Sequence, residues 1–219
     1  MSEHESFKGF IQGSKYSELM ISIPKFYLDD GFNYYGLPNL FSKNYNKLYK
    51  MLNNPEYFRS KCEVEELMTE AIVLYGYVHA RFLSSEDGID SVVDYYKSKN
   101  LPMCPRKLCK TKCLPYGISD AMGKYPVMFY CPNCHDVYDL KIERYKDFDG
   151  GWFGPTYVHL FENRMKFKSS VNKFKFSDND VSEDYYYESN DDYYYYSDDY
   201  DSYSSENEDV ENLFESVDF

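Results

Sequence analysis

Two close pairs of cysteines constrain the fold of this 219-residue chain more than any other feature. Cys104 and Cys109 form the first pair, with four residues between them, and Cys131 and Cys134 form the second, with two between. A proline follows the first cysteine of each pair and favours a turn that directs both sulfurs inward. Four thiolates in this arrangement are typical of a tetrahedral Zn²⁺ site. Because four protein ligands leave no open coordination position, we predict one structural zinc ion per chain.

The remaining cysteines and the histidines do not extend this set. Cys113 lies four residues after Cys109 and could replace it as a ligand, but we interpret it as a free thiol. His135 follows Cys134 on the wrong side of the turn for the same metal, and Cys62 is interpreted as a packing residue. The sequence contains no Walker-type phosphate loop, nucleophile elbow or metalloprotease histidine pair. We therefore predict that the chain is not an enzyme.

Residues 1–100 carry apolar side chains at helical spacing and predict a helical domain. Helices are predicted over about residues 40–52, 64–82 and 89–97, after a short segment that runs from Pro24 to Asp30. The chain has no run of 18 apolar residues, so no membrane span is predicted. Its acidic first residues do not resemble a secretory signal, and we expect a location inside the cell.

Proline and glycine punctuate residues 101–161, where short runs at 127–130 and 137–140 predict strands. We expect residues 101–161 to form a small β-domain that holds the zinc ion and, together with the helical domain, gives an α+β fold. Residues 162–176 connect this domain to residues 177–219, a tail with 16 acidic and no basic residues. Self-repulsion and few aliphatic side chains predict that the tail is disordered. The other residues, with 21 acids and 24 bases, form a slightly basic body.

Six groups of residues between positions 7 and 161 match a known pattern. They are Phe32-Asn-Tyr-Tyr-Gly-Leu37; Leu74-Tyr-Gly-Tyr-Val-His-Ala-Arg81 with Gly88-Ile89; Cys104-Pro-Arg-Lys-Leu-Cys109; Leu114-Pro-Tyr-Gly-Ile-Ser-Asp120; Tyr130-Cys-Pro-Asn-Cys134 with Asp136-Val-Tyr138; and Gly151-Trp-Phe-Gly154 with His159-Leu-Phe161. In these residues the chain resembles the regulatory (beta) subunits of casein kinase II. The resemblance implies a non-catalytic protein that docks, stabilises and modulates the catalytic subunit of an acidophilic Ser/Thr kinase.

The resemblance also implies that the helical domain packs on a small zinc-ribbon β-domain, residues 101–161, and it implies an assembly. Two copies would form a homodimer through their zinc ribbons, and the dimer would bind two catalytic subunits to give a heterotetramer in the nucleus and cytoplasm. Pro105, Leu108 and Val137 match positions near the dimer surface of the family. Lys107 departs from it, because the family prefers an apolar residue there.

Residues 162–176 are identified by the resemblance as a shortened docking segment for the catalytic subunit. Phe174 and Phe176 are its best match to the family's aromatic anchors, and large aromatic side chains are typical of binding hot spots. An alternative interpretation is that both are the last ordered residues before the tail.

The kinase of this family selects a serine that has an acidic residue three positions later. Ser2, Ser177, Ser189 and Ser205 fit that rule and are candidate phosphorylation sites. The family's acidic loop, which binds polyamines and basic partners, matches residues 53–62, which are barely charged here.

A zinc-ribbon protein that binds nucleic acid, of the transcription-factor type, is the alternative function. Basic side chains near the first cysteine pair and beyond the ribbon could contact phosphates. They are Arg106, Lys107, Lys110, Lys112, Lys166, Lys168, Lys173 and Lys175. The acidic tail would compete with nucleic acid for this patch, and the Leu-Tyr-Gly motif would have no role. The kinase-regulator hypothesis is therefore preferred.

Overall fold

A computed structural model describes residues 5–41 and 43–166 and confirms the predicted α+β fold. The described residues form seven α-helices: α1 (Phe7–Gly13), α2 (Lys25–Asp29), α3 (Tyr45–Asn53), α4 (Pro55–Lys61), α5 (Glu65–Leu83), α6 (Glu86–Ser98) and α7 (Tyr157–Met165). Three strands lie between α6 and α7: β1 (Leu114–Tyr116), β2 (Met128–Cys131) and β3 (Asp136–Tyr138). None of the described helices is long and apolar enough to cross a membrane.

The helices predicted from apolar spacing are confirmed within a few residues. Helix α5 buries one stripe of its surface, which includes Leu67, Leu74 and Val78. Helix α6 begins where the Ser85 hydroxyl accepts a hydrogen bond from the Gly88 N–H at 3.1 Å, as an N-cap does. Local sequence signals thus define the start of α6 and the buried face of α5.

The three strands form one antiparallel sheet in the order β1-β2-β3. Leu114 pairs with Tyr130 across β1 and β2, and Cys131 pairs with Asp136 across β2 and β3. The runs predicted at 127–130 and 137–140 correspond to β2 and β3. Strand β1 was not predicted, because three residues with a central proline show no alternation of apolar and polar side chains.

Helix α7 was also not predicted, and it closes the fold by returning to α6. Phe161 packs against Tyr96, with ring centroids 5.0 Å apart. Arg164 forms an ion pair with Asp90 of α6. The boundary predicted after residue 161 falls inside α7, and the division of the chain into separate domains stays a prediction.

His79 of α5 joins the helical part of the chain to residues 150–154, the glycine-rich segment that precedes α7. Its imidazole is fully buried. The Nε2 atom accepts a hydrogen bond from the Ile21 N–H at 3.0 Å, and Nδ1 lies 2.7 Å from the carbonyl oxygen of Trp152. These two contacts require a neutral ring with its proton on Nδ1, because Nε2 must supply a lone pair. Burial accordingly lowers the pKa of His79 to about 4.

Gly76, one turn before His79, makes room for the indole of Trp152. A Cβ atom at Gly76 would lie 2.1 Å from Cδ1 of that indole, far inside van der Waals contact. The indole also packs edge-on against Tyr16 and Phe148, with ring centroids 5.4 and 5.9 Å away. The Leu-Tyr-Gly-x-x-His motif therefore holds α5 against Trp152.

Candidate metal centre

Four cysteine sulfurs converge at the edge of the sheet. The Sγ atoms of Cys104, Cys109, Cys131 and Cys134 all lie within 4.8 Å of one another. Cys104 lies 3.7 Å from Cys134, and Cys109 lies 3.7 Å from Cys131. Sulfurs bound at about 2.3 Å to a tetrahedral zinc ion are about 3.8 Å apart, whereas a disulfide needs about 2 Å. The four residues thus form a site that could hold one metal ion.

The second cysteine pair lies at the tip of the β2–β3 hairpin. Cys131 is the last residue of β2, and Cys134 follows in the connecting turn. The N–H of His135 donates a hydrogen bond to the Cys131 carbonyl at 2.9 Å. His135 itself has a φ of 53°, which lets the chain reverse into β3. The hairpin therefore fixes the positions of both sulfurs through its backbone.

The first cysteine pair lies in a separate loop that is closed by backbone contacts. The Cys104 N–H donates to the Thr111 carbonyl at 2.9 Å, and the Cys109 N–H donates to the Arg106 carbonyl at 2.9 Å. Arg106 also links the two loops, because its guanidinium forms a 2.9 Å ion pair with Asp136 of β3. The two cysteine loops are therefore in contact at this ion pair as well as at the sulfurs.

The thiols differ in how readily they lose a proton. Burial raises the pKa of Cys131 well above its usual range. Burial opposes ionisation of Cys109 as well, but hydrogen bonds from Thr111 and Asn133 outweigh it and lower the pKa of that thiol to about 6. Since a metal binds thiolates, binding must displace protons from the set and strengthens as the pH rises.

Cys113, the competing ligand considered above, is not among the four sulfurs that the structure brings together in the described residues. Its thiol is fully buried just before β1, and burial raises its pKa to about 12. Cys62 lies half-buried against the core, at the end of α4.

A carboxylate beside the site was missed by the sequence analysis. Glu162 of α7 accepts a 2.6 Å hydrogen bond from the Tyr130 hydroxyl and lies 2.8 Å from Nδ1 of His135. His159 lies one turn earlier on the same helix, 3.9 Å from the other oxygen of Glu162. These contacts join the second cysteine loop to α7. Tyr130 and His135 lie about 30 positions from Glu162 in the sequence, and a pattern of neighbouring residues does not predict contacts over that separation.

The residues predicted at a dimer surface differ in exposure. Leu108, at the tip of the first cysteine loop, is 90% exposed, and Pro105 beside it is also exposed. Val137 is half-buried. Met103, which was not predicted, adds a further exposed apolar side chain at the base of this loop. The role of Pro105, Leu108 and Val137 in dimerisation stays a prediction.

The other predicted site residues lie outside the described part of the chain. This applies to the docking residues Phe174 and Phe176, to the candidate phosphorylation sites Ser2, Ser177, Ser189 and Ser205, and to the acidic tail. The predicted docking segment 162–176 begins inside α7, and its residues after 166 are not described.

Comparison with known proteins adds a family. A family model described as the casein kinase II regulatory subunit matches residues 6–190. The beta-2 subunit of casein kinase II from Schizosaccharomyces pombe is 35% identical over 148 residues, which are 66% of this chain and 58% of that protein.

Two further relatives give similar values. The beta subunit from Dictyostelium discoideum is 33% identical over 67% of this chain and 55% of its own length. The beta' subunit from Drosophila melanogaster is 34% identical over 66% of this chain and 67% of its own length. The chain thus spans little more than half the length of the first two relatives.

Proposed function

The chain belongs to the casein kinase II regulatory subunit family, and on this premise we propose that it is a non-catalytic subunit that docks on, stabilises and modulates an acidophilic Ser/Thr protein kinase. The observation that carries the proposal is the combination of the family match with four converging cysteine sulfurs. A closed set of four thiolates supports a structural role for this centre, because no coordination position remains for a substrate.

The bound metal in this proposal is zinc, with one ion per chain. Its role is to hold the two cysteine loops together across the gap that the Arg106–Asp136 ion pair spans. Metal binding and folding of such a small sheet are one equilibrium, and structural zinc contributes about 10–16 kcal/mol in zinc-finger peptides. The ribbon is therefore expected to lose its fold when the metal is removed.

The ribbon surface serves for homodimerisation in this proposal. Leu108 and Met103 are exposed apolar side chains on a loop whose shape the metal would fix. Apolar side chains at the centre of an interface are typical of homodimers. The dimer would bind two catalytic subunits through Phe174 and Phe176 of each chain.

The test is to coexpress the full-length chain with the catalytic subunit of an acidophilic Ser/Thr kinase and to measure the mass of the complex by native mass spectrometry. We expect a complex of two regulatory and two catalytic chains with two zinc ions. Leu108→Asp should reduce it to complexes with a single regulatory chain, whereas Leu160→Asp, on the exposed face of α7, is the matched control and should leave the mass unchanged. Failure of the two proteins to associate would refute the proposed function.

The serines of the tail and the N-terminus are proposed as substrates of the same kinase. Ser2, Ser177, Ser189 and Ser205 each precede an acidic residue at the third position, and each phosphate adds about −1.5 to −2 charge. The tail would then compete with acidic substrates for the kinase. A complex built with residues 1–176 should phosphorylate an acidic peptide faster than the full-length complex at low salt, and the difference should fade as salt rises. Equal rates, with no phosphate on these serines, would leave the tail without this role.

Nucleic-acid binding has no specific support among the described residues. Lys112 donates its Nζ to the backbone carbonyls of Tyr96 and Lys99 at 3.0 and 2.8 Å. Arg106 is paired with Asp136. Two of the basic side chains considered for phosphate contacts therefore already have partners within the fold.

A further inference from the structure

Tyr138 of β3 carries a buried hydroxyl that has no hydrogen-bond partner among the described residues. A buried polar group without a partner costs free energy, so its retention needs an explanation. Asn53 and Trp152 also hold such an atom in that part of the chain. Asn53 lies in α3, and Trp152 packs against α5. Tyr138, in contrast, lies beside the cysteine cluster.

The sheet directs Tyr138 towards the first cysteine loop. Asp136 and Tyr138 occupy alternate positions of β3, so their side chains lie on the same face. On that face the Asp136 carboxylate is 2.9 Å from the guanidinium of Arg106, which belongs to the first cysteine loop. Burial, and then the neighbouring sulfurs of Cys104 and Cys134, raise the pKa of the Tyr138 hydroxyl above its usual range. The hydroxyl therefore faces these two sulfurs.

The two sulfurs beside Tyr138 form one of two close pairs in the cluster. They lie 3.7 Å apart, as do the sulfurs of Cys109 and Cys131. The pair that contains Cys109 has a side-chain donor, because Nδ2 of Asn133 donates to Sγ of Cys109 at 3.5 Å. The hydroxyl of Tyr138 occupies the corresponding place beside the other pair.

Ionisation of the sulfurs would give this hydroxyl the acceptor that it needs. A neutral thiol is a weak acceptor, whereas a thiolate is charged and accepts stronger hydrogen bonds. Four thiolates around a divalent ion carry two more negative charges than the ion neutralises. The nearby guanidinium of Arg106 is paired with Asp136, which offsets its charge. A neutral donor beside two of the sulfurs thus gains a partner when the thiolates bind metal.

We propose that Tyr138 is a positioning residue of the metal centre and that its hydroxyl donates a hydrogen bond to the thiolate pair of Cys104 and Cys134. This bond stabilises the negative charge left on the sulfurs and holds the first cysteine loop against β3. The inference deepens the proposed zinc centre and rests on it, but it does not depend on kinase binding. Hydrogen-bond partners of metal ligands typically contribute about 10–100-fold to metal affinity.

The test is Tyr138→Phe in the full-length chain, which removes the hydroxyl and keeps the ring. Its zinc affinity, measured by competition with a chromogenic chelator, should be about 10-fold lower than that of the parent, or lower still. The matched control is Tyr116→Phe. Tyr116 is half-buried in β1 of the same sheet and pairs with Met128, three residues before Cys131. The control should keep the zinc affinity of the parent, and circular dichroism confirms that both variants fold.

Cobalt supplies a readout that a general loss of packing would not reproduce. Co²⁺ bound to thiolates absorbs through charge transfer from sulfur to metal. A hydrogen bond to a sulfur lowers the energy of its lone pairs and so raises the energy of this transition. The charge-transfer band of cobalt-loaded Tyr138→Phe should therefore lie at longer wavelength than that of the parent. The band of Tyr116→Phe should not move.

Three results would overturn the inference while the zinc centre stands. The first is equal zinc affinity in Tyr138→Phe and the parent. The second is a lower affinity with an unshifted cobalt band, which would assign the effect to packing of the ring. The third is an equal loss of affinity in Tyr116→Phe. A parent chain that binds neither zinc nor cobalt would refute the proposed centre itself and this inference with it.

Discussion

Acidification should destabilise this protein through His79. The buried imidazole is neutral, and its Nε2 must accept the Ile21 N–H. A proton on Nε2 would place the N–H of the imidazole against the N–H of Ile21, so that two donors would face each other inside the core. With a pKa of about 4 in the folded chain and 6.5 in the unfolded chain, the unfolded state takes up the proton first as the pH falls. The contribution of His79 is therefore complete above pH 6.5 and is lost as the pH falls towards 4.

The size of this loss follows from the two pKa values. Each pH unit between them is worth about 1.4 kcal/mol, so the free energy of unfolding should fall by about 3 kcal/mol between pH 7 and pH 4. This is a large part of the 5–15 kcal/mol typical of a folded domain. The assay is urea unfolding at a series of pH values, followed by circular dichroism.

Acid also protonates the cysteine thiolates that would bind the metal. A variant is therefore needed to separate the contribution of His79 to stability from that of the metal centre. His79→Asn can still donate to the Trp152 carbonyl, and His79→Gln can still accept from Ile21, but neither titrates. The free energy of unfolding of each variant should be about 1–3 kcal/mol lower than that of the parent at pH 7, because one buried hydrogen bond is lost. This difference in free energy should shrink towards pH 4. A difference that stays constant with pH would refute the reasoning. Nitrogen-15 NMR of the parent checks it independently, because Nε2 should remain unprotonated at pH 5.

Three further outcomes are expected. Cys131→Ala should abolish zinc binding and dimerisation together, whereas Cys113→Ala should leave the zinc content measured by mass spectrometry unchanged; a metal-free dimer would contradict this. Replacing both Phe174 and Phe176 by Ala should weaken kinase binding by about 2 kcal/mol or more, roughly 30-fold, in a titration that leaves the dimer intact. Gly76→Ala should cost about 1–3 kcal/mol in chemical unfolding, since the new methyl meets the indole ring; an unchanged stability would show that the indole moves freely.

The sequence predicted those features that depend on neighbours along the chain. Helix α5 follows from a regular apolar stripe, and the cysteine set follows from two short spacings. The sequence analysis gave His79 no role of its own, although it lies on the same buried stripe as Tyr75 and Phe82. A polar residue at a buried helical position needs a partner, and that signal could have identified it.

Features made by distant residues were not predictable. Helix α7 follows a glycine-rich segment, and its helical face is defined by contacts with α6 that sequence spacing does not reveal. Glu162 gains its role from Tyr130 and His135, about 30 residues away. Whether Arg106 is free or paired likewise depends on Asp136 of β3, 30 residues away in the chain.

The indole at the junction between α5 and the glycine-rich segment gives the protein a built-in optical reporter. Trp152 is the single tryptophan among 26 tyrosines, so excitation at the red edge of the absorption band selects it. It is 6% exposed, and its Nε1 has no hydrogen-bond partner among the described residues. Such an indole emits at short wavelength, and separation of α5 from this segment would shift the emission to the red. Opening of the junction can therefore be followed in real time, without a label, while metal or kinase is added.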